Sequence, residues 1–180
     1  MSTAQLTPPR WPDRAFRFDN PPWMLADFIE RLRGNIHRTG PLLARVPDPL
    51  LRAQPDGTWS LLQNAGHLGD VEELWLQRIE ELKAGRPVLT PADGAHFSAL
   101  AEVHQERSAE EVLEYLAHRR AALVRALEGA DDTLQRAAAL HERLKVNMRL
   151  VDMAQFAAEH DDHHLVRMRE LRRMLAITPA

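Results

Sequence analysis

The chain has no cysteine. That excludes a disulfide framework, a thiolate metal site and a cysteine nucleophile. Aromatic residues are scarce, at 6% of 180 residues, while Leu, Ala, Glu and Arg dominate, a balance that favours helix over sheet. No apolar run is long enough to cross a bilayer, and Met1 to Phe18 carries Pro and Arg but no apolar segment of the kind a secretory leader needs. A basic excess is missing as well. The formal net charge is −3, so the electrostatic footprint of a nucleic-acid binder is absent. These absences predict a soluble, cytoplasmic protein that engages neither nucleic acid nor membrane. The hydrophobic content of 44% is ordinary for a globular domain of this length with a sizeable core.

What is present is patterned for helix. Asn20 before Pro21 reads as a helix start, because proline is preorganised for a first turn. Leu25, Phe28, Ile29, Leu32, Ile36, Leu43 and Val46 carry the stripe that follows, loosened at Gly40-Pro41 and ended by Pro47. After the turn-rich stretch Pro49 to Thr58, Ser60-Leu61-Leu62-Gln63 fits a capping box. From there Leu61, Ala65, Leu68, Val71, Trp75, Ile79 and Leu82 run along one face to the stop signal Gly85-Arg86-Pro87. His67 sits at the edge of this stripe and by itself reads as a boundary histidine. Residues 86–107 show little periodicity, as a crossover or lid would.

Ser108-Ala109-Glu110-Glu111 is a second capping box, opening a helix to Gly129. Arg120 interrupts its apolar stripe. A snorkelling side chain or an ion pair is the reading placed ahead of contact with an anionic substrate group. Ala130 to Val146 reads as a connection leading to Asn147 as the N-cap of a final helix. The whole predicts an all-α, four-helix bundle with long connections, at least one of them crossing diagonally. Residues 1–19, with Trp11, Phe16 and Phe18, are expected to form an arm packing on the bundle, and residues 20–180 a single domain.

The final helix carries the chemistry. Neither Gly nor Pro interrupts Arg149 to Thr178, and Leu150, Met153, Ala157, Met168, Leu171 and Leu175 recur in helical steps. His160 and His164 continue that register across the gap. At about 100° per residue the two imidazoles stand one turn apart on the apolar face, whereas His163 points to the flank. Two readings fit: ligation of a metal, or a hydrogen-bonded pair of core histidines.

Two stretches resemble a known family. Trp59-Ser60-Leu61-Leu62-Gln63-Asn64-Ala65-Gly66-His67-Leu68-Gly69-Asp70-Val71-Glu72-Glu73-Leu74-Trp75 is similar to the second-helix signature of the DinB/YfiT-like superfamily. Ala158-Glu159-His160-Asp161-Asp162-His163-His164-Leu165 resembles its fourth-helix signature. The resemblance covers roughly residues 20 to 176. It implies a four-helix bundle, often dimeric, with a divalent metal held by His67, His160 and His164. Arg167 departs from the pattern, since relatives commonly carry Gln shortly after the second His.

Three neutral imidazoles leave open positions on Zn²⁺ or Ni²⁺, which suits catalysis better than a closed structural site. Asp161 and Glu72 are candidate acceptors for the outer imidazole nitrogens, although a solvated carboxylate is the simpler reading of each. The resemblance implies a metal-dependent transferase using a low-molecular-weight thiol as co-substrate, or a hydrolase, acting on a small molecule. The alternative is a non-catalytic, stress-associated metal-binding bundle that acts as a homodimer or partner-binding module.

Overall fold

The computed structural model describes residues 9–177; the first residues of the expected arm, and Thr178 at the expected end of the last helix, lie outside them. Ser60 opens the chain's most buried element. Its hydroxyl accepts from the Gln63 amide while the Gln63 side chain accepts from the Ser60 amide, which is the expected capping box. The helix that follows, α4 (Leu61–Asp70), is buried at every position. Ser108 and Glu111 cap α7 (Ala109–Glu128) in the same way.

Four rods make the bundle. The first is α1 (Leu25–Arg33) followed by α2 (Asn35–Leu43), the second α4 followed by α5 (Glu72–Lys83), the third α7, and the fourth α9 (Leu150–Met174). The third and fourth rods each pack against both the first and the second. The first and second therefore face each other across a diagonal, so the connection between them crosses over, as its length predicted. Close approach of the second rod depends on glycine. A Cβ at Gly66 would stand 2.2 Å from the His104 ring, and one at Gly69 would stand 2.6 Å from the Tyr115 ring.

Several boundaries differ from the sequence reading. The first rod opens with a single 3₁₀ turn at Pro22–Met24 and breaks at Gly34, while Gly40 and Pro41 stay inside α2. The second breaks at Val71, whose amide bonds to both the Gly69 and His67 carbonyls. The unpatterned 86–107 segment contains α6 (Gly94–Val103), started by the Asp93 carboxylate on the Ala95 and His96 amides. Two short helices lie in the connections: α3 (Asp48–Leu51) between the first and second rods, and α8 (Asp132–Arg136) between the third and fourth.

Asn147 is not an N-cap. It lies in β2 (Val146–Arg149), paired antiparallel with β1 (Ala138–His141) in the register Ala138 to Arg149 and His141 to Val146. Burial alternates along β1, but Ala138-Ala139-Leu140-His141 carries no apolar–polar alternation in its residue types to mark it. The fourth rod starts instead where Asp152 accepts the Arg149 amide at 3.0 Å.

Arg120 ties the rods together. From α7 its guanidinium donates to the Leu32 carbonyl of α1 at 3.0 Å, to Glu72 of α5 at 2.6 Å, and to both oxygens of Asp161 of α9 at 2.5 and 2.9 Å. The ion-pair reading of Arg120 therefore holds. The solvated-carboxylate reading of Glu72 and Asp161 does not, because both are buried. Burial pushes the Glu72 carboxyl up to about 7, against the opposing pull of Arg120. Burial alone would lower the Arg120 pKa; the two carboxylates outweigh it and hold it above its ordinary value. Removing the cation leaves two uncompensated acids inside the bundle. Arg120→Met should therefore cost about 3–5 kcal/mol in urea unfolding, and a loss under 1 kcal/mol, roughly that of a surface pair, would show the network to be incidental.

Candidate metal centre

The helical register brings His160 and His164 to one buried face of α9, and α4 places His67 opposite them. His160 Nε2 stands 3.4 Å from His67 Nε2 and 3.3 Å from His164 Nε2. All three ligand atoms lie within 4.8 Å of one another. Hydrogen bonding fixes part of the protonation pattern. The Asn64 amide nitrogen donates to the Trp59 and Ser60 carbonyls, so its oxygen faces His164 Nδ1, 2.8 Å away. His164 Nδ1 thus carries the proton and its Nε2 presents a bare lone pair. His67 Nδ1 and His160 Nδ1 are buried and have no partner among the described residues.

Burial keeps these rings neutral. Desolvation lowers His67 to about 4 and holds His160 and His164 well below 6.5, with neighbouring imidazoles adding to the latter two. Three imidazole nitrogens crowded on one buried point, with at most one able to donate to each neighbour, leave lone pairs facing one another. A cation resolves that conflict. Nitrogens about 2.0–2.1 Å from a tetrahedral ion would be separated by about 3.4 Å, close to the two spacings observed. The residues present therefore fit a divalent metal.

The imidazoles face a cavity of about 630 Å³. Its walls are aromatic. Trp59 packs edge-on to His67 at 4.9 Å and stacks on His164 at 6.0 Å, while Phe97 of α6 lies 5.4 Å from His67. Trp11 in the arm packs against His160 at 5.0 Å and Phe156 at 4.9 Å. Arg14 reaches His163 Nδ1 at 2.9 Å, so His163 faces the arm and stands apart from the three converging nitrogens. Arg167 pairs with Glu170 at 3.1 Å, and both line the cavity.

Two expectations fail here. Asp161 and Glu72 hold Arg120, not an imidazole, because their side chains leave the helices on the faces toward α7. The acceptor that sequence reasoning missed is Asn64. Its signal is a polar amide one turn before His67, inside a helix where it has no capping role.

The bundle and its site define a class: a helical scaffold with a three-histidine cluster at the floor of an aromatic cavity. The sequence profile of the DinB superfamily matches residues 31–167, and the chain belongs to that superfamily. Among solved structures, the chain is similar to YfiT from Bacillus subtilis, described as a probable metal-dependent hydrolase with an unusual four-helix bundle topology. The two share 19% identity over 92% of this chain and 95% of that one, with a TM-score of 0.78. None of the curated proteins matches the chain.

The geometry separates neighbours on one helix. His160→Ala or His164→Ala should abolish stoichiometric Zn²⁺ binding, while His163→Ala should retain it, as read by metal content after dialysis. Equal loss in all three folded variants would sink the assignment. Asn64→Ala should weaken Zn²⁺ binding about 10-fold or more, because the His164 ring loses its orienting acceptor.

Acid stability follows from the same burial. His67, His141 and His163 are each lowered from 6.5 to about 4, in every case chiefly by desolvation. Between those values the unfolded chain takes up protons that the folded chain refuses, so stability falls as pH drops through that window. Urea midpoints of chelated protein should decline from pH 6.5 toward 4; a flat profile would contradict the neutral, buried rings.

Proposed function

We propose that the protein is a metal-dependent enzyme that joins a low-molecular-weight thiol to a small apolar electrophile. The reading rests on one observation, the convergence of His67, His160 and His164 at the floor of an aromatic cavity. Zn²⁺ or Ni²⁺ held there would supply a Lewis acid that lowers the pKa of a small nucleophile.

The chain's own residues do the rest. Burial keeps the imidazoles neutral and their lone pairs available, and Asn64 holds the His164 tautomer. Trp11, Trp59 and Phe97 crowd the imidazoles and limit the water that reaches them. The carboxylates closest to the imidazoles are committed elsewhere, Asp161 and Glu72 to Arg120, Asp70 to His104 and Tyr115, and Glu170 to Arg167, while Glu142 lines the cavity from the hairpin. That commitment favours a thiol, which needs no protein base once its pKa is lowered by a cation.

Hydrolysis is the second reading, supported by the likeness to YfiT. Zn²⁺- or Ni²⁺-loaded protein should conjugate bacillithiol, mycothiol or glutathione to a chlorinated aromatic or an epoxide. The rate should fall to background on chelation and in His160→Ala. Cleavage of a small ester or amide without any thiol would favour the hydrolase. No rate with any substrate, combined with a rise in Tm on metal loading, would replace both with a non-catalytic binding role.

A further inference from the structure

The cavity has a second polar end, and Arg78 is its centre. Arg78 leaves α5, is 1% exposed and lines the cavity. Its Nε and Nη2 both donate to the Thr90 carbonyl, at 2.9 and 2.7 Å, and its guanidinium lies 5.2 Å from the Trp75 ring centroid. Among the described residues its Nη1 has no hydrogen-bond partner and no carboxylate lies within ion-pair distance. Glu81, one turn further along α5, is occupied by the Thr90 amide and hydroxyl. The contrast with Arg120 is direct: that buried guanidinium touches two carboxylates, whereas Arg78 touches none and feels only the field of Glu81 beyond Thr90. A buried guanidinium without a directly paired counter-charge is costly, and an anion entering the cavity would reduce the cost.

Two further donors come from the β1–β2 hairpin. His141 is buried, lines the cavity and packs 5.5 Å from Phe156. Its Nδ1 faces the Leu144 amide at 3.4 Å, which leaves the proton on Nε2. Arg143 lies 5.8 Å from the Phe156 centroid, also lines the cavity, and donates to the Pro12 carbonyl at 3.2 Å. These groups share one neighbourhood. His141 is lowered to about 4 by burial first and then by Arg78 and Arg143, and Arg78 is lowered to about 10 by burial, opposed by Glu81 and aided by Arg143. Trp75 and Phe156 stand between this end and the imidazoles: Trp75 lies 6.2 Å from His160 on one side and under Arg78 on the other.

We propose that Arg78, with His141 and Arg143, forms a carboxylate-binding subsite, and that the substrate is a small molecule with an apolar or aromatic body and one carboxylate. One buried guanidinium matches one charge. The Trp75 and Phe156 rings between the subsite and the imidazoles fit the apolar body. This deepens the proposed function by giving its substrate a class, and it rests on that function only for the statement that the bound molecule reacts.

The test uses binding to metal-free protein and no turnover. Benzoate and its neutral isostere benzamide are titrated by calorimetry into chelated wild type and into His160→Ala, with inorganic phosphate as a third probe. Benzoate should bind about tenfold or more tighter than benzamide in both proteins, as a charge-assisted hydrogen bond to a buried group requires. Arg78→Met should abolish the preference, and Arg78→Lys should reduce it, because an ammonium keeps the charge but loses the planar fork. Should Arg78→Met fail to fold, the wild-type ¹⁵N resonances of the Arg78 guanidinium decide: they should shift with benzoate and stay put with benzamide. Equal affinities in wild type, an intact preference in folded Arg78→Met, unmoved Arg78 resonances, or phosphate binding in preference to benzoate would each overturn the assignment. None of these outcomes depends on the metal, so loss of the enzyme reading and loss of the subsite are distinguishable.

Discussion

The Arg120 guanidinium is the contact on which the arrangement of the bundle depends. From the third rod it reaches a carbonyl on the first, a carboxylate on the second and a carboxylate on the fourth. Hydrophobic packing is tolerant of small slides along a helix axis, whereas a planar fork that satisfies named oxygens is not. Asp161 is the residue after His160, and Glu72 begins the helix that follows α4, which carries His67. Fixing those two carboxylates on one cation therefore fixes the register between the helices that supply the histidines. The cost of burying the charges falls partly on Glu72, one of whose oxygens has no partner among the described residues.

The histidine cluster follows from that register and from what surrounds it. Aromatic rings press on the imidazoles from the arm, from the entrance to α4 and from α6. They raise the cost of protonation and leave neutral nitrogens pointing at a shared space. Asn64 adds direction by selecting one tautomer of His164. Low polarity and one fixed tautomer are different contributions, and the site has both.

The walls of the cavity come largely from segments between the rods. The arm brings Trp11, the segment after α5 brings Pro91 and Phe97, and the hairpin brings His141 and Arg143. The bundle supplies a rigid floor, and the connections supply shape and charge. The likeness in fold to a chain only 19% identical shows that the bundle is built by very different sequences.

Periodicity and capping chemistry determined the rods. Ser60 with Gln63 and Ser108 with Glu111 start helices where local hydrogen bonding alone says they should, and the histidine phase on α9 follows from 3.6 residues per turn. The resemblance added His67 to that pair, where the stripe by itself showed a boundary residue. Local pattern had no hold on the hairpin, because strands of four residues are stabilised by pairing with each other and by the Leu140 carbonyl on the Leu89 amide. Nor could it say which carboxylate meets which cation. Asp161 sits beside His160 in the chain, yet its side chain leaves the helix about 100° away and meets Arg120. Asn64 and Arg78 took their meaning only from what folded against them: a histidine 100 residues later for the first, and a carbonyl with no carboxylate for the second. Sequence sets the faces of helices; only the packing of one face on another decides which polar groups are satisfied and which are left facing a cavity.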